Sequence, residues 1–588
     1  MPSVDTARAI LSTLDALGVT HVLYCPGSRS APFAYALESG SFSGHARAVL
    51  DERGAGFLAV GLARGGALPA IVVTSGTAVA ELTPAVLEAS HARLPLIVLS
   101  ADRPGELRGV GASQTTDQAR LFAAHARACV ELEPQEPSPS LIGQVSRAFA
   151  AATGAPTGVP GPVQINVAFR DPLTPQSPAS RASATPASSS MDGPGDAGLP
   201  GDEAPASFVP RPTRVLPASL VPARWEDVVG EACAGLIVAG EGASPRAAQW
   251  SLTSGFPLLA EPASGAWAGG EVTPFEQAIV SSPLGREVDT VVVTGRPTLS
   301  RPIHALLARP DVRVIVVDAG TPWVDISGNA SVVVPALAAP RVPSRDASWA
   351  ARVRSAADEA ASRIDALLTG GSGHSMLDLA RAVAAATTGP LVLGASNPVR
   401  AFDLAVASLS GRHVYSNRGQ AGIDGTIATA VGIALGLGAF AHRDEASAPR
   451  SARRGKHVEP DRAARVTAVM GDLTLSHDTS SLALAAATGA DLDIIVADDA
   501  GGGIFATLEH GRAATPQAYD RWFGVAQAIN YEALAAAYGI GFARAYATSE
   551  LASILRAPVA GPRLIHTPVE RAAHLYAQAR NVLCEAGF

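Results

Sequence analysis

Two carboxylates, Asp498 and Asp499, close the apolar run in "LDIIVADDAGGGIF", and three glycines follow at once. A third acid, Asp472, opens "GDLTLSHD" directly after another apolar run, "RVTAVM", 27 residues before Asp499. That interval is roughly one βαβ unit, so a parallel sheet would set Asp472 and Asp499 side by side at one edge. Two carboxylate oxygens, a backbone carbonyl and phosphate oxygens satisfy Mg²⁺, a hard cation usually held by few carboxylates together with a diphosphate. Gly501, Gly502 and Gly503 would let the backbone pass close to those phosphates. A dinucleotide site fits less well. "AGGGIF" lacks the G-x-G-x-x-G spacing, and its acids precede the glycines instead of following them by about twenty residues. Taken singly, an Asp at a strand end is an ordinary cap or loop residue. The pair, its spacing and the glycines together point to a metal and a diphosphate.

Strands and helices able to carry such a site recur through the chain. At 588 residues it is too long for one core, and about 150 residues per domain gives three or four units. To residue 175, helical patterns alternate with "HVLYCPGS", "ALPAIVVTSG", "RLPLIVLSAD" and "GPVQINV". Residues 176–217 include "SPASRASATPASSSMDGPGDAGLPGDEAPAS", which buries too little to fold and reads as a linker. The same rhythm returns over 218–345 in "AGLIVAGEG", "FPLLAEP", "DTVVVTGRPTL" and "VRVIVVDAG". After a connecting segment, 346–371, it returns over 372–588 in "GPLVLGASN", "HVYSNRG", "RVTAVMGDLT" and "LDIIVADD". A charged, Pro-containing loop around 442–462 interrupts this last stretch. The pattern predicts an α/β fold: three doubly wound domains, each a parallel sheet covered on both faces. Glycine-rich turns fall at the carboxyl ends of the strands, where open sheets of this kind bind ligands.

Composition removes several classes of function. Net charge is −8 and no basic run carries interleaved aromatics, so nucleic acid is not an expected partner. No apolar run reaches the ~18–20 residues of a membrane span. "MPSVDTARAILSTLDALGV" reads as an amphipathic helix containing acids, not as a signal peptide. Cys25, Cys129, Cys233 and Cys584 have no metal-ligand spacing, and a reducing cytoplasm is the simplest compartment. Lys456 is the single lysine, which disfavours Schiff-base chemistry and leaves arginine to hold any substrate carboxylate.

A "GD" pair followed one βαβ unit later by paired acids or amides resembles the motif of the thiamine diphosphate enzymes, whose usual layout is three α/β domains. Within them, the chain most resembles the SEPHCHC (2-succinyl-5-enolpyruvyl-6-hydroxy-3-cyclohexene-1-carboxylate) synthase family of menaquinone biosynthesis. The resemblance rests on "PGSRSAP" (26–32), "DERGAGFLAVGLA" (51–63), "TSGTAVAELTPAVLEA" (74–89), "SADRPGELRGVGASQ" (100–114), "SNRGQAGIDGT" (416–426), "GDLTLSHD" (471–478) and "GGGIF" (501–505). It spans the first and third domains nearly end to end, and the middle domain mainly by layout.

That resemblance implies a role for each matched position. Glu52, in "LDERGAG", would be the catalytic glutamate. It would hydrogen-bond the aminopyrimidine ring and promote the imino tautomer, whose nitrogen removes the thiazolium C2 proton. By residue type alone, Glu52 reads as a capping acid on the helix that follows. In an apolar slot its carboxyl group would hold a proton more readily and share it with the ring. Asp472, Asp499 and the Gly501 carbonyl would be ligands of Mg²⁺, with Mn²⁺ able to take its place. Leu473, Thr474 and Gly502 would lie near the diphosphate, and Ile423 would prop the cofactor in its bent shape. Ile504 and Phe505 would line the thiazolium side. With the glutamate and the metal ligands in different domains, the resemblance implies sites between subunits of a homodimer or homotetramer.

The implied substrates are both dicarboxylates. 2-Oxoglutarate would be decarboxylated on thiamine diphosphate, and the succinyl carbanion equivalent would add to a conjugated alkene carbon of isochorismate. Arg29, Arg103, Arg400 and Arg418, with Ser28, Gln114 and Ser396, fall on the family's polar positions, and the four arginines are expected to converge on one cleft. Arg296 and Arg301, in "GRPTLSRP", are candidates for a middle-domain contact. The chain departs from the family at Asp499 and Ala500, where Asn is common, and at Ser113, where Asn is again common. His477 reads as a supporting residue, and His91 has no ligand spacing. Two other functions compete. One is a different 2-oxo acid decarboxylase or carboligase of the acetolactate synthase kind; the other is a non-catalytic cofactor-binding protein on the same fold. The joint presence of Glu52, Asp472 and Asp499 argues against the second.

Overall fold

Valine, isoleucine and leucine fill strands that are buried on both faces, the condition for parallel pairing between two helical layers. The computed structural model describes residues 3–155, 157–175, 211–230, 232–341, 347–371, 373–447 and 465–585. The expected linker, through residue 210, and residues 448–462 of the expected interruption lie outside the described residues. The first sheet comprises β1 (His21–Tyr24), β2 (His45–Ala48), β3 (Pro69–Val73), β4 (Leu96–Asp102), β5 (Ala128–Leu132) and β6 (Pro162–Ala168), in the order 2-1-3-4-6-5. The middle sheet comprises β7 (Gly235–Ala239), β8 (Leu258–Ala260), β9 (Thr290–Thr294), β10 (Arg313–Val317) and β11 (Ala330–Val334), in the order 11-10-9-7-8. The third comprises β12 (Leu391–Leu393), β13 (Val414–Tyr415), β14 (Val466–Gly471), β15 (Leu492–Asp498), β16 (Gly541–Arg544) and β17 (Arg563–Pro568), in the order 13-12-14-15-17-16. Counted from its own first strand, the third sheet repeats the order of the first. Glu52 follows the second strand of the first sheet, while Asp472 and Asp499 follow the third and fourth strands of the other. All three sheets are parallel throughout, as the α/β reading requires.

Two helices bear on the expected boundaries. Residues 347–369 of the connecting segment form one 23-residue helix, Ala347–Thr369. Its Trp349 donates from Nε1 to the Gly235 carbonyl at 2.9 Å, and Val353 and Ala357 enter the core under the middle sheet. The first residues of the expected interruption, 442–447, continue the helix Thr426–Ser447.

The domains share cores. The helix Glu52–Arg64 crosses Thr426–Ser447 with the two backbones in contact. A Cβ on Gly61 would lie 2.1 Å from the Thr429 carbonyl, and one on Gly432 2.2 Å from the Leu58 carbonyl. Phe57, Leu58 and Leu62 therefore pack with Ile427, Val431, Met470 and Ile494. Where all three domains meet, buried Arg64 pairs with Glu88 at 2.8 Å and Glu241 at 2.6 Å. Glu88 also accepts from the amides of Gly419 and Gln420, at 2.9 and 2.8 Å. Such a network holds the domains in one arrangement, because parting any member leaves a buried charge uncompensated. Among the described residues, no helix is long and apolar enough to cross a membrane.

Candidate active site

Strands β14 and β15 pair with Gly471 beside Ala497, so Asp472 and Asp499 emerge next to each other at the carboxyl edge. They open into a cavity of about 290 Å³. Its walls include Leu473, Thr474, Gly501, Gly502, Ile504 and Phe505 from the same two turns. Ile423, Ser396 and Arg400 complete the far side, with Met376, Asn397 and Pro398, which the sequence reading did not single out.

The acids are in an unusual electrostatic state. Burial, with Asp498 nearby, pushes Asp472 up to about 6. Burial, with the charge of Asp472, pushes Asp499 up to about 7. Asp472 Oδ2 is buried without a hydrogen-bond partner. Two carboxyls raised by burial and by neighbouring negative charge, with an orphaned oxygen, fit a divalent cation, which would favour both anions. Among the described residues no three His, Cys, Asp or Glu side chains gather as a complete metal site. Two carboxylates and a carbonyl leave coordination positions for phosphate oxygens and water, the usual arrangement for Mg²⁺. Asp498 is different: it accepts from His566 Nε2 at 3.0 Å, and that bond holds it below the usual carboxylate range.

The glycines serve the chain's own backbone. A Cβ on Gly501 would lie 2.1 Å from the Gly524 carbonyl, one on Gly502 2.1 Å from the Phe523 carbonyl, and one on Gly503 1.8 Å from Asp499 Oδ2. The room expected for phosphates is in part taken by residues 523–524, which cross the turn closely. Gly502 N donates to the Gly524 carbonyl at 2.6 Å, and the Tyr519 hydroxyl donates to the Gly502 carbonyl at 2.9 Å. Asp478, in the same "GDLTLSHD" stretch, caps the helix Thr426–Ser447 by accepting from Ile427 N at 2.7 Å and Ala428 N at 3.2 Å.

The first domain gathers a second cluster. Glu52 begins its helix, but the cap is Asp51, which accepts from Gly54 N at 3.2 Å. Glu52 is thus left free of the capping role, and it stands half-buried near the Cys25 thiol, which burial and then the Glu52 and Asp51 charges push up. Arg29 donates to the Phe169 carbonyl at 2.9 Å. Arg103 donates to the Gln114 carbonyl at 3.0 Å and to the Ser75 hydroxyl. Ser28 and Gln114 are exposed, and Gln114 adopts a φ of 54°. None of these residues lines the acid cavity.

Within one chain the four arginines form two pairs instead of one convergence. Arg400, beside the acids, donates to the carbonyls of Ala395 at 3.1 Å and Ser396 at 2.7 Å. Burial, then the charge of Arg418, lowers its pKa. Arg418 is turned into the middle domain, donating to the Thr298 carbonyl at 3.2 Å and hydroxyl at 3.0 Å. Arg296 is committed to backbone: His91 O at 2.6 Å, Arg418 O at 2.8 Å and Gly419 O at 2.9 Å. Arg301 is exposed, 3.8 Å from Glu509. His477 lies 3.8 Å from Asp424, and its carbonyl accepts from Arg53 at 2.9 Å. A roomier cavity of about 500 Å³ lies at the ends of β7, β9 and β10, lined by Arg93, Glu241 and Arg296 among others. No residue expected to hold cofactor or metal lines it.

The acids and Glu52 fall in recognisable segments, while Ser396 and Arg400 lie just before the second of them. Residues 4–121 match the thiamine pyrophosphate enzyme N-terminal TPP binding domain, and residues 402–567 match the C-terminal TPP binding domain. The 2-succinyl-5-enolpyruvyl-6-hydroxy-3-cyclohexene-1-carboxylate synthase of Kineococcus radiotolerans is 40% identical over 594 residues, covering 97% of this chain and 96% of its own. The chain belongs to the SEPHCHC synthase family of thiamine diphosphate enzymes. The synthase of that name from Nocardioides sp. is 38% identical, covering 96% of this chain and 95% of its own. The one from Mycobacterium leprae is 36% identical, covering 97% and 98%. Glu52, Arg29 and Arg103 lie within the N-terminal matched segment, and Asp472, Asp499 and Gly501 within the C-terminal one.

Proposed function

We propose that this member of the SEPHCHC synthase family uses thiamine diphosphate with Mg²⁺, or Mn²⁺ in its place, to decarboxylate 2-oxoglutarate and join the remaining four-carbon unit to isochorismate. The observation that carries the reading is the cavity that Asp472 and Asp499 share, both raised by burial, beside Ile423, Ile504 and Phe505. Asp472, Asp499 and the Gly501 carbonyl would hold the cation. Leu473, Thr474 and Gly502 would receive the diphosphate, and the three apolar side chains would wall the ring and exclude water. When bound, thiamine diphosphate supplies an electron sink for CO₂ loss from a 2-oxo acid and then a nucleophilic carbon. Glu52 would hold a proton at the aminopyrimidine ring nitrogen. Ser396 and Arg400 would meet substrate from the cavity wall; Ser28, Arg29, Arg103 and Gln114 would meet it from the first-domain cluster. Arg418 would have to leave Thr298 to join them.

Because the two clusters do not share a cavity in one chain, the reading includes a homodimer or homotetramer with sites between subunits. A cytoplasmic setting suits the four unbridged cysteines. The test is turnover: purified protein should release CO₂ from 2-oxoglutarate and consume isochorismate only when thiamine diphosphate and a divalent cation are supplied. Turnover of pyruvate without activity on 2-oxoglutarate would instead place the chain with carboligases of the acetolactate synthase kind.

A further inference from the structure

The turn that carries Asp499 adopts a conformation its sequence disfavours. Ala500 has a φ of 57° and Gly501 a φ of 129°. Glycine reaches that region freely, but alanine does not, because its Cβ crowds the next carbonyl. Arg571, just beyond β17, lies against this turn. Its Nε donates to the Asp499 carbonyl at 2.7 Å, and its Nη2 donates to the Ala500 carbonyl. A planar guanidinium presents two donors at fixed separation, so it fixes two successive carbonyls where an ammonium would fix one. The fit is close: a Cβ on Gly501 would lie 3.0 Å from the same Nη2. The remaining nitrogen, Nη1, is 3.6 Å from Asp520 Oδ1. Asp520 opens the π-helical turn Asp520–Gly524, the segment whose Gly524 carbonyl receives Gly502 N at 2.6 Å.

We propose that Arg571 is a positioning residue for the bound cation. By holding the carbonyls of Asp499 and Ala500 it keeps the left-handed turn that presents the Asp499 carboxylate and the Gly501 carbonyl to the cavity, and Asp520 aims the guanidinium. The proposal rests on the reading that Asp499 and Gly501 are cation ligands. A purely electrostatic role for Arg571 makes a different prediction. Its positive charge repels a divalent ion and favours the Asp499 anion, and a lysine, which keeps the charge, would keep both effects. Losing the fork loosens the turn and weakens binding.

Mn²⁺ titration of the full chain with thiamine diphosphate, read by the electron paramagnetic resonance of free Mn²⁺, separates the two. Arg571→Lys controls for the charge that Arg571 places beside Asp499. Arg571→Ala and Arg571→Lys should each raise the Mn²⁺ Kd about tenfold or more, although lysine keeps the charge. Adding Ala500→Gly to Arg571→Ala should recover most of the loss, because glycine adopts the turn unaided. Asp520→Asn should give a smaller change in the same direction. Unchanged or tighter Mn²⁺ binding in Arg571→Ala overturns the proposal, as does wild-type behaviour in Arg571→Lys. Failure of Ala500→Gly to restore binding overturns the turn-holding role. Asp499→Ala is the control: if it too leaves Mn²⁺ binding unchanged, the ligand reading fails. If it abolishes binding while Arg571→Ala does not, Arg571 alone is removed.

Discussion

Asp499 is held up at about 7 and Asp472 at about 6, against about 3.9 in an unfolded chain. A carboxyl raised in this way binds more protons folded than unfolded between the two values. Its stabilising contribution is fully present below about pH 4 and is lost as pH rises through about 6 to 7. Without a cation, the pair therefore weakens the fold at neutral and alkaline pH, and a divalent ion should reverse that by favouring both anions. Asp499→Asn should make the metal-free protein more stable at about pH 8, by on the order of 1 kcal/mol once partial exposure is allowed for. It should also weaken, without abolishing, the stabilisation given by Mg²⁺ with thiamine diphosphate, because an amide oxygen still ligates a hard cation but carries no charge. Melting curves with and without Mg²⁺ check both: the difference between variant and wild type should be small near pH 4 and grow by pH 8. A difference that does not change with pH would deny that folding raises Asp499. The acids and glycines were legible because their spacing is local and periodic. Arg571 and Tyr519 were not, because they reach the turn from other segments and no local pattern marks an arginine that binds carbonyls.

At the scale of elements, the β-branched runs that read clearly as strands are mostly those inside the sheets. β2, β5, β11 and β16 lie at sheet edges, where short, half-exposed strands need no continuous apolar run. β2 is "HARA" and exposed along its length. β17 was hidden for another reason: it is buried, but its Arg563 and His566 pair with Asp493 at 2.8 Å and Asp498 at 3.0 Å. Polar partners of that kind remove the hydropathy signal without removing the strand. The crossing of Glu52–Arg64 on Thr426–Ser447 was equally hidden, since small residues on two helices reveal a contact only once both are placed. Gly61→Ala and Gly432→Ala should each lower stability by about 1–3 kcal/mol through overpacking, read as a lower denaturant midpoint. Gly65→Ala is the internal comparison: its Cβ would come no nearer than 3.0 Å to Gly436 Cα, so its loss should be the smallest of the three. Equal losses at all three positions would mean that general helix effects, not backbone contact, set the cost.

For the whole molecule, the three-domain order and the family were legible from motifs spread along the chain, but which chain completes which site was not. The Glu52 helix touches the third domain of its own chain. Arg53 donates to the His477 carbonyl at 2.9 Å, and the Ser480 hydroxyl donates to Asp51 at 2.6 Å. Those contacts bring it to the far end of the helix Asp472–His477 but not into the acid cavity, whose lining contains no first-domain residue. A second copy would bring a first-domain cluster to that opening, and in a twofold dimer the same pairing would occur twice. Subunit mixing decides the matter. Glu52→Gln should leave cofactor binding measurable while slowing turnover by orders of magnitude, and Asp499→Ala should be inactive through loss of the cation. In a mixed dimer of the two, one shared site carries both defects, and the other combines a native Glu52 with a native Asp499. Co-expression of the two variants with different tags, followed by purification through both tags, should therefore recover activity that neither variant shows alone. If each chain completed its own site, every site in the mixed dimer would carry one defect, and the doubly purified protein would stay as inactive as its parents.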